Sequence, residues 1–160
     1  MLTKVFSFAV SGLDAYPVTI EVDVSHGLPS TVIVGLPDNA IKESKERVRS
    51  AIKNSGYKFA ADRIIINLAP ADIKKEGPSF DLAMALGLLA STKQLEPSSL
   101  AKYVILGELS LDGNIQPTKG TLAIAMAISK EKFSGIIVPC QNAAEAAMAN
   151  AVEVFPVRNL

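Results

Sequence analysis

Alternating hydrophobic and polar positions dominate the first 36 residues. The segments 4–10, 18–24 and 30–36 are rich in β-branched side chains, and turn sequences containing Gly and Pro separate them. Such alternation is typical of strands that bury one face. We therefore predict three successive strands that form an antiparallel meander.

A helical period begins after the third strand. Asp38 is a candidate N-cap, and Asn-Ser-Gly at 54–56 is a stop signal. The apolar residues between them recur at helical spacing: Ile41, Val48, Ala51 and Ile52. These features predict the first helix; whether the segment 35–41 is also a hinge or interface loop is left open.

Strand and helix patterns alternate over the rest of the chain. Strands are predicted at 62–70, 103–111, 135–139 and 152–157, and helices at 78–92, 119–131 and 142–150. This order predicts a mixed sheet covered by helices, an α/β or α+β sandwich, in a single domain over 1–160.

Charge and composition limit the function. The 16 basic and 16 acidic residues balance, so a contact with nucleic acid would have to be local. No run of 18 apolar residues and no signal-peptide pattern occurs, which predicts a cytoplasmic protein without a membrane partner. The chain has one cysteine, Cys140, and one histidine, His26. They exclude an internal disulfide and a His/Cys zinc cluster, and we predict no metal or cofactor site in this chain.

Ser79 is the first candidate for chemistry, because it follows Gly77-Pro78 and precedes an apolar helix. A serine nucleophile needs a base to remove its proton. The simpler interpretation is a helix start, in which Ser79 or Asp81 accepts hydrogen bonds from free backbone amides. The neighbouring Lys74 and Lys75 are expected to be solvated loop charges.

Two pairs of segments resemble known families. "EGPSFDLAMALGLLA" and "GELSLDGNIQPTKGTLAIAMA" resemble the paired motifs of the proteolytic domain of Lon proteases. "GLPDNAIKESKERVRSAIKNSGY" and "INLAPADIKKEGPSFDLAMALGLL" resemble the N-terminal domain of magnesium-chelatase-like AAA+ proteins of the ComM or YifB type. This second resemblance covers nearly the whole chain.

The resemblance implies a Lon-protease-like fold, of the superfamily that includes small-molecule kinases and the second domain of a small-subunit ribosomal protein. It also implies that 1–160 is a fragment of a longer protein, in which an AAA+ module binds ATP and Mg. The ComM branch drives DNA branch migration. This chain has no G-x-x-x-x-G-K-[ST] motif, so ATP hydrolysis is expected outside it.

For Ser79, the resemblance implies a site that has lost its catalytic base. Ser79 matches the Lon serine, but Leu122 occupies the position of the Lon lysine. Lys119 lies three residues earlier and is the one substitute we considered. We predict a vestigial site with Ser79 and Lys119 as weak catalytic candidates. The alternatives are a Lon-like Ser/Lys peptidase and a small-molecule kinase, and "KKEGPSFD" is too poor in glycine for a phosphate loop.

The first helix carries a basic strip. Its four members recur at helical spacing: Lys42, Lys45, Arg49 and Lys53. Arg47 lies beside them, and Glu43 and Glu46 interrupt the charge. The strip is either a contact for DNA or a partner subunit, or an ordinary solvated face. Together these features predict a non-catalytic accessory domain that contacts its own AAA+ module, neighbouring subunits and DNA.

Overall fold

The first two strands form a long antiparallel hairpin in a computed structural model that describes residues 1–129 and 131–160. β1 is Leu2–Ser11 and β2 is Asp14–Ser25. They pair over the whole length of β1, with Phe6 opposite Thr19. The β-branched, alternating sequence predicted this hairpin, and the prediction is confirmed.

β3, Ser30–Val34, does not continue the hairpin. It pairs in parallel with β4, Arg63–Ala69, and β4 lies between β3 and β2. The predicted antiparallel meander is therefore wrong at its third strand. A helix, α1, connects β3 to β4, because two parallel strands cannot be joined by a tight turn.

α1, Asn39–Asn54, has the predicted start and end. Asp38 accepts a hydrogen bond from the Ile41 amide at 2.8 Å, and Ser55 is the C-terminal cap residue. The four predicted apolar residues are all buried: Ile41, Val48, Ala51 and Ile52. A helix with one apolar face can be predicted in this way because its period does not depend on distant residues.

The remaining strands are β5, Tyr103–Ile105; β6, Glu108–Leu109; β7, Ile115–Gln116; β8, Gly135–Pro139; and β9, Glu153–Val157. Of these five strands, β5, β8 and β9 extend the main sheet beyond β1. The main sheet has seven strands in the order β3-β4-β2-β1-β5-β8-β9, and β6 pairs with β7 separately. This arrangement confirms the predicted mixed sheet.

The single strand predicted at 103–111 is interrupted. β5 ends at Ile105, and the next residues leave the main sheet before β6 begins. The Gly107 amide donates to the Ser79 carbonyl at 3.0 Å, and the Gly107 carbonyl accepts from the Leu82 amide at 3.0 Å. The strand is interrupted here because the Gly107 backbone bonds to the start of the second helix instead of to a neighbouring strand.

That second helix, α2, Asp81–Ser91, is buried on almost all sides. The predicted caps are wrong, because the N-cap residue is Phe80 and no side-chain hydrogen bond caps the helix. Gly87 lets α2 lie close to the sheet, since a Cβ there would be 2.8 Å from a methyl carbon of Val22.

Two shorter helices complete the chain. α3 is Thr121–Ile128 and α4 is Ala143–Ala147, both within the predicted helical segments but shorter than them. Lys130, in the segment predicted as helix at 119–131, lies outside the described residues. Short 3₁₀ turns occur at Pro97–Ser99 and Cys140–Asn142.

Helices cover both faces of the sheet. Val5 and Ile105 contribute to the core that contains α1 and α2, whereas Phe8 and Val104 contribute to the core that contains α3. Side chains on one strand alternate between the two faces, so these pairs mark opposite sides. The layered α/β fold expected from the sequence is confirmed.

Candidate functional site

Ser79 and Lys119 line the same cavity, which has a volume of about 460 Å³. The sequence placed these two residues 40 positions apart, and the fold brings them to one site. Carboxylates and a hydroxyl also line the cavity: Asp38, Glu76, Glu108 and Thr118. We call this the serine cavity.

Backbone hydrogen bonds fix the turn that presents Ser79. The Gly77 amide donates to a carboxylate oxygen of Asp38 at 2.9 Å, and the Asp81 amide donates to the Pro78 carbonyl at 3.2 Å. The Ser79 carbonyl accepts from Gly107. Ser79 is therefore held in a half-buried turn directly before α2, on the wall of the serine cavity.

Lys119 lies outside a helix, so the predicted helix start at residue 119 is wrong. α3 begins at Thr121, and its N-cap residue, Gly120, has a left-handed backbone with φ of 76°. Lys119 is exposed. Thr118, the residue before Lys119, is held by the side chain of Asn142. The Thr118 amide donates to Asn142 Oδ1, and Asn142 Nδ2 donates to the Thr118 carbonyl, each at 2.9 Å.

Leu122, at the position of the Lon lysine, lies in the first turn of α3. Its amide donates to a carboxylate oxygen of Glu145 at 3.0 Å, and its side chain is half-buried. Leu122 is not among the residues that line the serine cavity. The aliphatic side chain offers no atom that could accept a proton from Ser79.

Asp81 forms a buried ion pair that the sequence did not predict. Its carboxylate is fully buried and accepts from Arg47 Nε at 2.7 Å and Nη2 at 3.2 Å. The Leu109 amide also donates to it, at 3.2 Å. Burial raises the pKa of Asp81, and the hydrogen bonds from Arg47 oppose this shift. Arg47 therefore belongs to this pair, which joins α1, α2 and β6, and not to the basic strip.

Lys75 is also buried, which corrects its prediction as a solvated loop charge. Its side chain is fully buried, and its amine donates to the carbonyl of Gly35 at 3.1 Å and to that of Pro70. Burial lowers the pKa of Lys75. The Lys75 backbone bonds to Leu36 and Asp38, so this residue joins the loop 35–38 to the turn that carries Ser79. Lys74 is exposed, as predicted.

The basic strip lies beside a second cavity. Lys42, Lys45, Arg49 and Lys53 are all exposed on α1. Lys45, Arg49 and Lys53 line a groove of about 320 Å³, and Glu46 of α1 lines it as well. The other side of the groove is formed by the start of β3 and the loop before β4: Pro29, Ser30, Thr31, Phe59, Ala60, Ala61 and Asp62. We call this the basic groove. It gives the strip a concave shape that the sequence pattern did not predict.

The remaining titratable candidates form no cluster. His26 is exposed in its turn, with Nδ1 3.4 Å from a carboxylate oxygen of Asp62. Asp112 accepts from the Asn114 amide at 3.0 Å within its own turn. In the part of the chain that the structure describes, no group of three His, Cys, Asp or Glu residues could hold a metal ion. Within the same residues, no helix has both the length and the apolar character needed to cross a membrane.

Comparisons with known proteins agree with the resemblance. The family model described as "Subunit ChlI of Mg-chelatase" matches residues 20–142. Uncharacterized protein YifB of Salmonella typhimurium is 46% identical over 154 residues, which cover 96% of this chain and 30% of that protein. Competence protein ComM of Haemophilus influenzae is 43% identical over 159 residues, 99% of this chain and 31% of that protein.

A weaker similarity connects the chain to Lon proteases. Lon protease of the Aster yellows witches'-broom phytoplasma is 28% identical over 175 residues, which cover 99% of this chain and 21% of that protein. The chain thus spans less than a third of the length of each of these three relatives.

Proposed function

Because the chain belongs to the family of subunit ChlI of Mg-chelatase, with YifB and ComM as relatives, we propose that it is a non-catalytic accessory domain of a AAA+ ATPase that acts on DNA. In this role the domain binds its own ATPase module, neighbouring subunits and DNA, in the cytoplasm. ATP and Mg bind the module, since this chain has no phosphate-binding loop motif.

One observation supports the non-catalytic part of the proposal most strongly. Leu122 replaces the lysine that a Lon-type site needs as its base, and its side chain is not among the cavity-lining residues. Lys119 is exposed to water, whereas a catalytic lysine must be desolvated to lose its proton near neutral pH. The serine cavity thus contains the nucleophile type without the desolvated lysine that a Lon-type site uses as its base.

The DNA part of the proposal rests on the relatives and on the basic strip. One relative is named a competence protein, and four exposed cations follow one face of α1. Cations along a helix contact phosphates without reading base sequence. An accessory domain of this kind can position DNA for a motor while performing no chemistry of its own.

The test uses the full-length protein that contains this chain. We expect ATP hydrolysis that increases when duplex or branched DNA is added, and we expect Ser79→Ala to leave both rates within about twofold. ATP hydrolysis that is absent, or that DNA does not change, would contradict the proposal.

A Lon-like peptidase is the second candidate, because Ser79 and Lys119 share the serine cavity and a Lon protease is 28% identical. It predicts cleavage of an unfolded protein such as casein by the 160-residue chain. Ser79→Ala would abolish that cleavage, and Ser110→Ala is the matched control. Cleavage that depends on Ser79 would replace the accessory-domain proposal with this one.

A further inference from the structure

The basic groove lies between one face of α1 and the start of β3. Its cations are Lys45, Arg49 and Lys53, at intervals of four residues. Side chains four residues apart on a helix lie on one face and about 6 Å apart along its axis. The three cations therefore form a row about 12 Å long.

The cations of the groove, Lys45, Arg49 and Lys53, form no ion pair within the described residues. Each of the three is exposed. Arg47, two positions from both Lys45 and Arg49, shows the contrast, because Asp81 neutralises it. The row thus retains three charges for a partner outside the chain.

Polar and aromatic groups line the opposite side of the groove. Ser30 and Thr31 carry hydroxyl groups that can donate to phosphate oxygens. The Arg49 guanidinium carbon lies 5.7 Å from the centre of the half-buried Phe59 ring. A cation above an aromatic face is attracted to it, so Phe59 restrains the Arg49 guanidinium at the wall of the groove.

Two carboxylates limit what the groove can bind. Glu46 and Asp62 line it, and Asp62 lies close to His26. Against three cations, these acids leave a small positive excess, which suits a few phosphates and not an extended anionic surface. Because the row has three cations, specific binding would involve at most about three phosphates.

The size of the groove favours one strand over a duplex. Its volume of about 320 Å³ is at the lower end of the range for small-ligand pockets. A flexible single strand can place consecutive phosphates along the cation row, while a rigid duplex can reach only the outer rim. We propose that the basic groove binds single-stranded nucleic acid through about three consecutive phosphates. This inference rests on the proposed action on DNA and adds the form of the ligand.

Binding of a fluorescent 15-nucleotide thymidine strand to the 160-residue chain tests the inference, measured by anisotropy from 50 to 200 mM salt. For three phosphate contacts, log K should fall with log salt at a slope of about −2, since each contact adds about −0.7. Lys45→Glu with Lys53→Glu should weaken binding at least tenfold and bring the slope toward −0.7. This variant keeps the Arg49–Phe59 contact.

A charge-matched control separates the groove from the net charge. Lys102→Glu with Lys132→Glu makes the same change in charge at exposed positions outside both cavities, and it should leave binding within about twofold. Equal weakening by both variants, or no binding by the unaltered chain, would overturn the inference. Thermal unfolding of each variant verifies that the fold is kept.

Two further probes identify the ligand class. A polyglutamate peptide or a 15-base-pair duplex that binds the groove as tightly as the single strand would also overturn the inference. The result stays distinct from the proposed function, because DNA-stimulated ATP hydrolysis by the full-length protein can persist when this groove binds no single strand.

Discussion

At the scale of single residues, the Asp81–Arg47 pair connects three elements. Asp81 is fully buried, and the Arg47 side chain is 20% exposed. Removal of one partner leaves the other without its counter-ion in a poorly solvated place, which typically costs about 3 to 5 kcal/mol. Because Arg47 keeps some contact with water, we place the value for Asp81→Ala at the lower end, about 3 kcal/mol.

A double-mutant cycle measures this coupling. Urea unfolding of Arg47→Ala, Asp81→Ala and the double variant should show that the double variant loses at least 1 kcal/mol less than the sum of the single variants, as directly contacting residues do. Additive losses would mean that the pair contributes only through separate packing. Glu46→Ala, an exposed acid on α1 that forms no ion pair within the described residues, is the control and should change stability by less than about 0.5 kcal/mol.

The buried amine of Lys75 predicts a pH dependence of stability. Burial lowers its pKa in the folded chain below the ordinary lysine value, so between the two values the unfolded chain binds more protons. The free energy of unfolding therefore rises with pH through this window and levels off above about 10.4.

The comparison is between the unaltered chain and Lys75→Met, unfolded by urea from pH 7 to pH 10. Contributions from the other lysines cancel when the free energy of unfolding of the variant is subtracted from that of the unaltered chain. This difference should increase with pH. A difference that stays constant, or that shrinks as pH rises, would contradict the burial of a protonated amine at this position.

These residue-level features could not be predicted from the sequence because their partners are distant along the chain. Arg47 and Asp81 are 34 positions apart, and Lys75 bonds to a carbonyl 40 positions away. Lysine and aspartate are rarely fully buried, so composition alone favours exposed positions for both. Leucine at position 122, in contrast, could be predicted to lack the role of the Lon lysine from the sequence motif alone, because that assignment depends only on neighbouring residues.

At the scale of elements, α2 depends on a close approach to the sheet at Gly87. Alanine there should favour the helix by up to about 1 kcal/mol, because glycine is a poor helix former. The added Cβ would, however, be 2.8 Å from Val22 and 3.3 Å from Val5, both β-branched residues in strands. Overpacking of a filled core typically costs about 1 to 3 kcal/mol, so crowding should win.

Gly87→Ala should therefore lower the free energy of unfolding by about 1 kcal/mol or more, as measured by urea unfolding. Gly87→Ala combined with Val22→Ala removes the crowding methyl groups and should lose less than the sum of the two single changes. A Gly87→Ala chain that is more stable than the unaltered one would show that α2 can shift away from the sheet.

Elements with a local period were predicted well, and so was the pairing of β1 with β2, which follow one another in the chain; the pairing of β3 was not. α1 has a capped start and one apolar face, both of which depend on neighbouring residues only. β3 has an equally clear strand pattern, but its partner, β4, follows α1 in the sequence. The alternation of apolar and polar residues within β3 therefore could not indicate the parallel pairing. The break between β5 and β6 depends on backbone bonds to the start of α2, which no pattern in 103–111 indicates.

At the scale of the whole molecule, the fold separates two sites. The serine cavity involves β1, the turn before α2 and the segment before α3, whereas the basic groove lies between α1 and the β3 start. The first resembles a Lon-type site without its lysine base, and the second carries cations that form no ion pair among residues 1–129 and 131–160. This division supports an account in which the domain binds and does not catalyse.

The most direct test of that account compares the full-length protein with a version that lacks residues 1–160. The rate of ATP hydrolysis is measured for both, with and without DNA. The account predicts that removal leaves the DNA-free rate within about twofold and lowers the DNA-stimulated increase at least fivefold. A DNA-stimulated increase that is the same in both proteins would contradict a role for this domain in binding DNA for the motor.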